Sequence, residues 1–228
     1  HKPGDGVGLA NGGFDGIPLR EGDAYDVSFW AYQAFMNEMW GGDNAIDGRP
    51  MPVTLRLETR TGELLAETSL RVAGRQWQRL SASLKPARTV ADARLVLLAH
   101  AKGGLALDMI SLFPRQTFHG RSNGLRADLA QALADLQPKF IRFPGGCLVH
   151  GQGIHRYYDW KETIGPVERR RARRNSWGYH QTMGLGYFEY FQFCEDIGAK
   201  PLPVVTAGVC CQHAGSSPGR GQEGLPME

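Results

Sequence analysis

Cysteine is scarce in this 228-residue chain: there are four, and none forms a Cys-x-x-Cys pair. The seven histidines stand at no zinc-ligand spacing from them, so no metal centre is expected. Free thiols, mostly buried, are the expected state, with a disulfide as the alternative in an exported protein. Net charge is also low, at +3, which removes the electrostatic case for nucleic acid or an anionic membrane surface. No apolar run reaches the length of a membrane helix, and no signal-peptide pattern opens the chain. Methionine is missing from position 1, where His1 stands, and the far end is a glycine-rich segment, Gly215 to Gly224, before Leu-Pro-Met-Glu. Both ends read as cuts in a longer protein. That leaves room for a removed leader, and an extracellular or periplasmic location is the expectation.

What is present is an ordinary globular composition, 42% apolar and 21% charged, with chain enough for one or two domains. Residues 1–113 read as all-β. Tyr25 to Tyr32 and Val53 to Glu58 alternate in hydropathy, and Arg60-Thr61-Gly62-Glu63 makes a hairpin turn into Leu64 to Leu70. Trp77 to Leu84, Ala93 to Ala99 and Leu105 to Leu112 add further short strands, a spacing that suggests a β-sandwich. Gln33 to Pro52 is too irregular for a strand and reads as a loop.

The character changes after Phe113-Pro114. Leu125, Leu129, Leu133 and Leu136 are spaced by four, four and three, which is one face of an amphipathic helix ended by Pro138. Phe140 to Phe143 then reads as a fully buried parallel strand, broken by Pro144-Gly145-Gly146 and followed by Cys147. The long polar stretch Leu148 to Gly186 leads to a second helix, Gly186 to Ile197, with Tyr187, Tyr190, Phe191 and Cys194 on one side and Gly198 as its stop. Leu202 to Ala207 is a second buried strand. Helix, strand, loop, helix, strand is the opening of a parallel α/β array, so 114–228 is expected to be part of a domain.

These residues carry a resemblance. Phe140 to Cys147, Trp160-Lys161-Glu162-Thr163-Ile164-Gly165-Pro166, Trp177-Gly178-Tyr179, Phe188-Glu189-Tyr190 and Cys194 to Ala199 occur in the order seen in α-L-arabinofuranosidases of glycoside hydrolase family 51. Asp108 to Pro114 resembles the junction in that family's longer members, where a carbohydrate-binding-module-like sandwich is inserted near the start of a (β/α)8 TIM barrel. The resemblance thus implies a β-sandwich over 1–113 and a partial barrel over 114–228. It implies retaining hydrolysis of terminal arabinofuranosyl bonds in an arabinose-containing polysaccharide or oligosaccharide, by two carboxylates roughly 5 Å apart. No cofactor is implied.

In the family both glutamates follow later barrel strands, which would lie beyond Glu228, and a sugar-holding glutamate would precede His1. No catalytic residue is therefore assigned within the chain. Glu162, Glu168, Glu189 and Glu195 read as loop or helix-surface carboxylates. The resemblance instead gives substrate-binding positions. Cys147, after Gly146, falls where a side chain lines the arabinose pocket, a buried inert thiol being the alternative. Trp160 and Trp177 fall in loops above the barrel, where indoles suit apolar sugar faces, and Trp177 matches a contact on the aglycone side. Arg142 is expected to support the barrel interior by charge-assisted hydrogen bonds. Two departures from the family pattern bear on the pocket: His150 stands where many longer members have glutamate, and Thr206 where asparagine is common. Glu168-Arg169-Arg170-Arg171-Ala172-Arg173-Arg174 invites a phosphate-binding reading, but it reads more simply as a solvated loop or a loop pairing with a neighbouring subunit of a homo-oligomer. The competing function is a non-catalytic carbohydrate-binding protein, in which the sandwich alone recognises glycan.

Overall fold

The computed structural model describes residues 6–34, 49–101, 103–151, 157–175, 177–206 and 211. Most of the expected Gln33–Pro52 loop, Cys210 and the glycine-rich end lie outside them. The chain divides into two compact units, His1–Gln116 and Thr117–Glu228.

The first unit is a sandwich of antiparallel sheets. Its strands are β1 (Val7–Asn11), β2 (Ile17–Leu19), β3 (Tyr25–Ala34), β4 (Met51–Glu58), β5 (Leu64–Val72), β6 (Gln78–Leu84), β7 (Val90–Ala99) and β8 (Gly104–Pro114). Among the described residues one sheet runs β1-β7-β4-β5 with β2 also on β7, and the other runs β6-β3-β8. The core is made by inward residues of both: Val27, Phe29 and Ala31 from β3 meet Val53, Leu55 and Leu57 from β4, all fully buried. Burial along β3 alternates without a break, as a strand with one face in a core must. The β4–β5 turn is the one the sequence predicts, closed by Thr59 and Glu63 with Gly62 at a φ of 92°. Strand β1 was not legible because every residue in it is exposed. It holds to β7 through backbone contact so close that a Cβ on Gly8 would lie 1.7 Å from the Leu97 carbonyl oxygen.

The second unit contains α1 (Ala127–Asp135), β9 (Phe140–Phe143), α2 (Gly146–His150), β10 (Arg173–Arg174), β11 (His180–Gln181), α3 (Tyr187–Asp196) and β12 (Lys200–Pro203). Strands β9 and β12 pair in parallel and in register, Phe140 opposite Lys200 and Phe143 opposite Pro203. With α3 between them in sequence they form the βαβ step from which a (β/α)8 barrel is built. Helix α3 ends as expected, at Gly198 with a φ of 68°.

Two expectations are corrected. Neither strand is fully buried: Phe140 is 59% exposed and Leu202 47%. Ile141 and Phe143 point into the aromatic core under α3, but the other face of the two-stranded sheet has no cover among the described residues. For the same reason the leucine face of α1 is not its core contact. Leu129, Leu133 and Leu136 are exposed; Leu125, just before the helix, is the one member of the expected face that packs with Phe118 and Phe193, beside Ala130 and Ala134.

Candidate functional site

The site is built at the carboxyl end of β9. Phe143 is joined to Pro144 by a cis peptide, Gly145 takes a φ of 124° that a side chain would disfavour, and α2 starts at Gly146. Helix α3 fixes both strand ends: the Tyr190 hydroxyl donates to the Ile141 carbonyl at 2.6 Å and the Tyr187 hydroxyl to the Val204 carbonyl at 2.5 Å. The Phe143 ring stacks on Tyr190 at 4.9 Å and meets Tyr187 and Tyr158 edge-on. Burial pushes the phenols of Tyr158 and Tyr190 up to about 12, so both stay neutral at any physiological pH. The floor of the site is rigid and aromatic.

The following segment is ordered by two anchors. Asp159 accepts from the Lys161 amide at 3.0 Å and starts a 3-10 helix, Trp160–Thr163. The buried Thr163 hydroxyl donates to the Trp160 carbonyl and accepts from the Tyr187 amide at 3.1 Å, tying this turn to the start of α3. The approach excludes any side chain at Gly186, whose Cβ would stand 2.0 Å from the Thr163 carbonyl oxygen. The second anchor is a buried ion pair. The Arg170 guanidinium forks onto both Glu189 carboxylate oxygens at 2.8 Å and also donates to the carbonyls of Gly165, Met183 and Gly184. Glu189 accepts in addition from the Gly186 amide at 2.9 Å and from the Asn123 amide at 3.0 Å. Burial alone would raise the Glu189 pKa, but Arg170, Gly186 and Asn123 together hold it below the ordinary value.

This anchor corrects two sequence readings. Glu189 is a buried structural carboxylate rather than a helix-surface one, and Arg170 is buried rather than solvated. Arg173 is likewise drawn in: it donates to the Tyr157 carbonyl, pairs with Glu162, and lies over the Tyr157 ring. Arg169, Arg171 and Arg174 are the exposed members of the run. Glu189 had a signal in the sequence, a glutamate three residues after a helix-starting position. Arg170 had none to set it apart from its neighbours. With Glu189 on Arg170, Glu162 on Arg173 and Asp196 on Arg121, these carboxylates serve structure, while Glu168 and Glu195 stand in solvent.

Cys147 lies on the exposed side of α2, and Gly146 sits beside Arg142, with a Cβ there 3.5 Å from its guanidinium. Arg142 itself is exposed, against the expectation of an interior role. The Cys147 thiol faces that of Cys211: hydrogen bonding between them, then their electrostatic coupling, raises its pKa. The Cys211 amide also donates to the carbonyl of Gly151, just after α2. The cysteine partner was not anticipated. Trp160 is 42% exposed and leans on Tyr187 with ring centroids 6.3 Å apart. Trp177 is 57% exposed at the tip between β10 and β11, where Asn175 accepts from its amide. A shallow, polar cleft opens between α2 and this hairpin, lined by Leu148, Tyr157, Tyr158, Arg173, Asn175 and Gln181 among others. It is flanked in sequence by Cys147 and Trp177, but neither side chain lines it. His150 closes α2 and Thr206 lies just past β12, both half-buried.

Residues 132–223 match the family described as Alpha-L-arabinofuranosidase 1 domain. The chain is 41% identical over 216 residues to an extracellular exo-alpha-L-arabinofuranosidase of Streptomyces chartreusis, covering 90% of this chain and 24% of that protein. It is 37% identical over 210 residues to alpha-L-arabinofuranosidase 1 of Arabidopsis thaliana, covering 91% of this chain and 29% of that one. A solved arabinose-bound family 51 α-L-arabinofuranosidase superposes with a TM-score of 0.81 at 32% identity, over 96% of this chain and 33% of its own. The chain thus spans only a quarter to a third of the length of these relatives. By motif, sequence and fold it is related to the α-L-arabinofuranosidases of glycoside hydrolase family 51, of which it carries a β-sandwich and the opening of the barrel.

Proposed function

We propose that the chain is part of a retaining α-L-arabinofuranosidase that releases terminal arabinofuranosyl units from arabinose-containing polysaccharides. The observation that carries this reading is the 41% identity to an exo-arabinofuranosidase, which runs over 216 residues. In this reading the two carboxylates of the double displacement, one nucleophile and one acid/base, come from later strands of the complete barrel. The residues described here bind and orient. Gly146 and Cys147 form a wall of the sugar pocket at the end of β9. Trp160 and Trp177 offer indole faces to the substrate, Trp177 toward the leaving group, and the Arg170–Glu189 pair keeps their loop in place. The protein acts outside the cytoplasm, in keeping with the name of the Streptomyces relative; among the described residues no helix is long and apolar enough to cross a membrane.

The test uses the complete enzyme on arabinoxylan and on a small aryl arabinofuranoside. Trp177→Ala should lower kcat/KM on the polysaccharide by an amount equivalent to about 1–3 kcal/mol and leave the aryl substrate much less affected. Equal losses on both would remove Trp177 from the leaving-group side. Failure of the native enzyme to release arabinose from either would end the assignment.

A further inference from the structure

Strands β9 and β12 end side by side, and the chain beyond each of them carries a cysteine. The parallel ladder runs one step past its last strand pair, with the Val204 amide donating to the Phe143 carbonyl at 2.8 Å. Cys147 follows on α2, four residues after Phe143, and Cys211 stands eight residues after Pro203. One residue fixes both cysteine backbones. The Gly151 amide donates to the Cys147 carbonyl at 3.0 Å, and the Gly151 carbonyl accepts from the Cys211 amide at 3.2 Å. Gly151 ends α2 at a φ of 63°, a left-handed conformation in which any side chain would be strained. The two thiols brought together in this way are hydrogen-bonded to each other.

The pair is asymmetric. Cys147 is exposed, whereas Cys211 is only 3% exposed. A dissolved oxidant can reach the first, and the second lies against the first. That is the arrangement of an attacking cysteine with a resolving partner. Cys194 makes the contrast: it is buried in the aromatic core under α3 and hydrogen-bonded to Tyr190 rather than to a second cysteine. Hydrogen bonding to Cys211 also raises the Cys147 pKa, so the thiol form persists at neutral pH and exchange is slow there.

We propose that Cys147 and Cys211 form a reversible thiol–disulfide switch whose oxidised state impairs the sugar pocket. The oxidant is a small-molecule disulfide. The Cys147 thiolate attacks one of its sulfurs, expels the other as a thiolate and forms a mixed disulfide. The Cys211 thiol, losing its proton, then attacks the Cys147 sulfur and expels the second small thiolate. Two cysteine thiols are oxidised and one small disulfide is reduced, and the protons lost by the cysteines pass to the two departing thiolates. A dithiol reverses both steps. The bond ties the chain beyond β12 to α2, takes the S–H group from Cys147 and holds its sulfur against Cys211. That Cys147 borders the sugar rests on the proposed function; the bond itself does not.

The bond is read first on the 228-residue chain, with no hydrolysis involved. Oxidised glutathione at about pH 8.5, where thiolate is plentiful, should give a Cys147–Cys211 cross-link by peptide mass spectrometry, with no glutathione retained on either cysteine. Cys194 should remain a thiol. Cys210→Ser should form the same bond, while Cys211→Ser should stop at the glutathione adduct of Cys147. The complete enzyme, cross-linked in the same way, should lose about tenfold or more in kcat/KM on an aryl arabinofuranoside and regain it with dithiothreitol. If Cys147 and Cys211 stay thiols, or Cys147 joins another cysteine instead, the pair is refuted. A cross-linked enzyme that keeps full activity would overturn the switch. Because the cross-link is read without hydrolysis, its failure is distinct from a failure of the arabinofuranosidase assignment.

Discussion

Removing the Arg170 side chain should loosen the whole segment between Gly165 and Gly186. In Arg170→Met the methionine fills most of the arginine volume but leaves Glu189 buried without its counter-charge, which typically costs about 3–5 kcal/mol. The carbonyls of Gly165 and Met183 lose their Arg170 donors too, while that of Gly184 keeps the Asn123 side-chain amide at 2.8 Å, and water from the loop surface can replace part of the loss. Glu189 keeps the Gly186 and Asn123 amides, so the lower end of that range is expected. Two compact units make one global unfolding free energy ill-defined, so the assay is amide hydrogen exchange of residues 165–190 under native conditions. A loss of 3 kcal/mol speeds exchange there by about a hundredfold, while the β3 and β4 amides of the sandwich should not change. Arg170→Lys keeps the charge but cannot fork onto two oxygens and reach three carbonyls, and should fall between. If Arg170→Met changes exchange of 165–190 less than about fivefold, the ion pair is not what holds the loop.

Three further outcomes follow from the same contacts. Glu189 and Asp196 both have pKa values held below their ordinary 4.5 and 3.8 in the folded state, despite the upward pull of burial, so each stabilises fully above those values and loses its contribution as pH falls through the lowered folded pKa. The second unit should therefore unfold in acid below about pH 4, and Glu189→Gln should flatten that acid limb, as read by circular dichroism against pH. Gly186→Ala should cost several-fold more in thermal stability than Gly22→Ala, which meets nothing within 4 Å although its φ of 82° is strained. Produced separately, residues 1–113 should melt cooperatively while 114–228 aggregates, because the second piece exposes Leu129, Leu136, Phe140 and Leu202. Cooperative melting of 114–228 alone would contradict that.

The sandwich was legible in the sequence because most of its strands have one buried face, and alternation such as Tyr25 to Tyr32 has no other explanation; Gln33 and Ala34, expected in a loop, continue β3, and Met51 and Pro52 begin β4. What stayed hidden there was held by backbone rather than by pattern: β1, where Gly8 presses against the Leu97 carbonyl, and the bulge in β8 at Met109, which breaks the period by one residue. In the second unit the existence of α1, β9, α3 and β12 was legible, but their burial was not. An apolar run states that a strand prefers a core and says nothing about whether its neighbours are present, so Phe140 and Leu202 were misread as buried. The site divides in the same way. Cys147, Gly146, Trp160 and Trp177, the proposed substrate contacts, are named by the family resemblance, whose motifs stand in fixed local order. The pairs Arg170–Glu189 and Cys147–Cys211 join residues 19 and 64 positions apart, and contacts at that range depend on how the loop closes over α3.

The central claim, that these residues form part of a retaining arabinofuranosidase whose carboxylates lie elsewhere in the barrel, is tested most directly with an aryl α-L-arabinofuranoside. The complete enzyme should hydrolyse it with the α-anomer of arabinose appearing first by NMR, the sign of retention, while the 228-residue chain gives no turnover above buffer. Turnover by the 228-residue chain would contradict the account of where the chemistry resides, and β-anomer as the first product would contradict the mechanism.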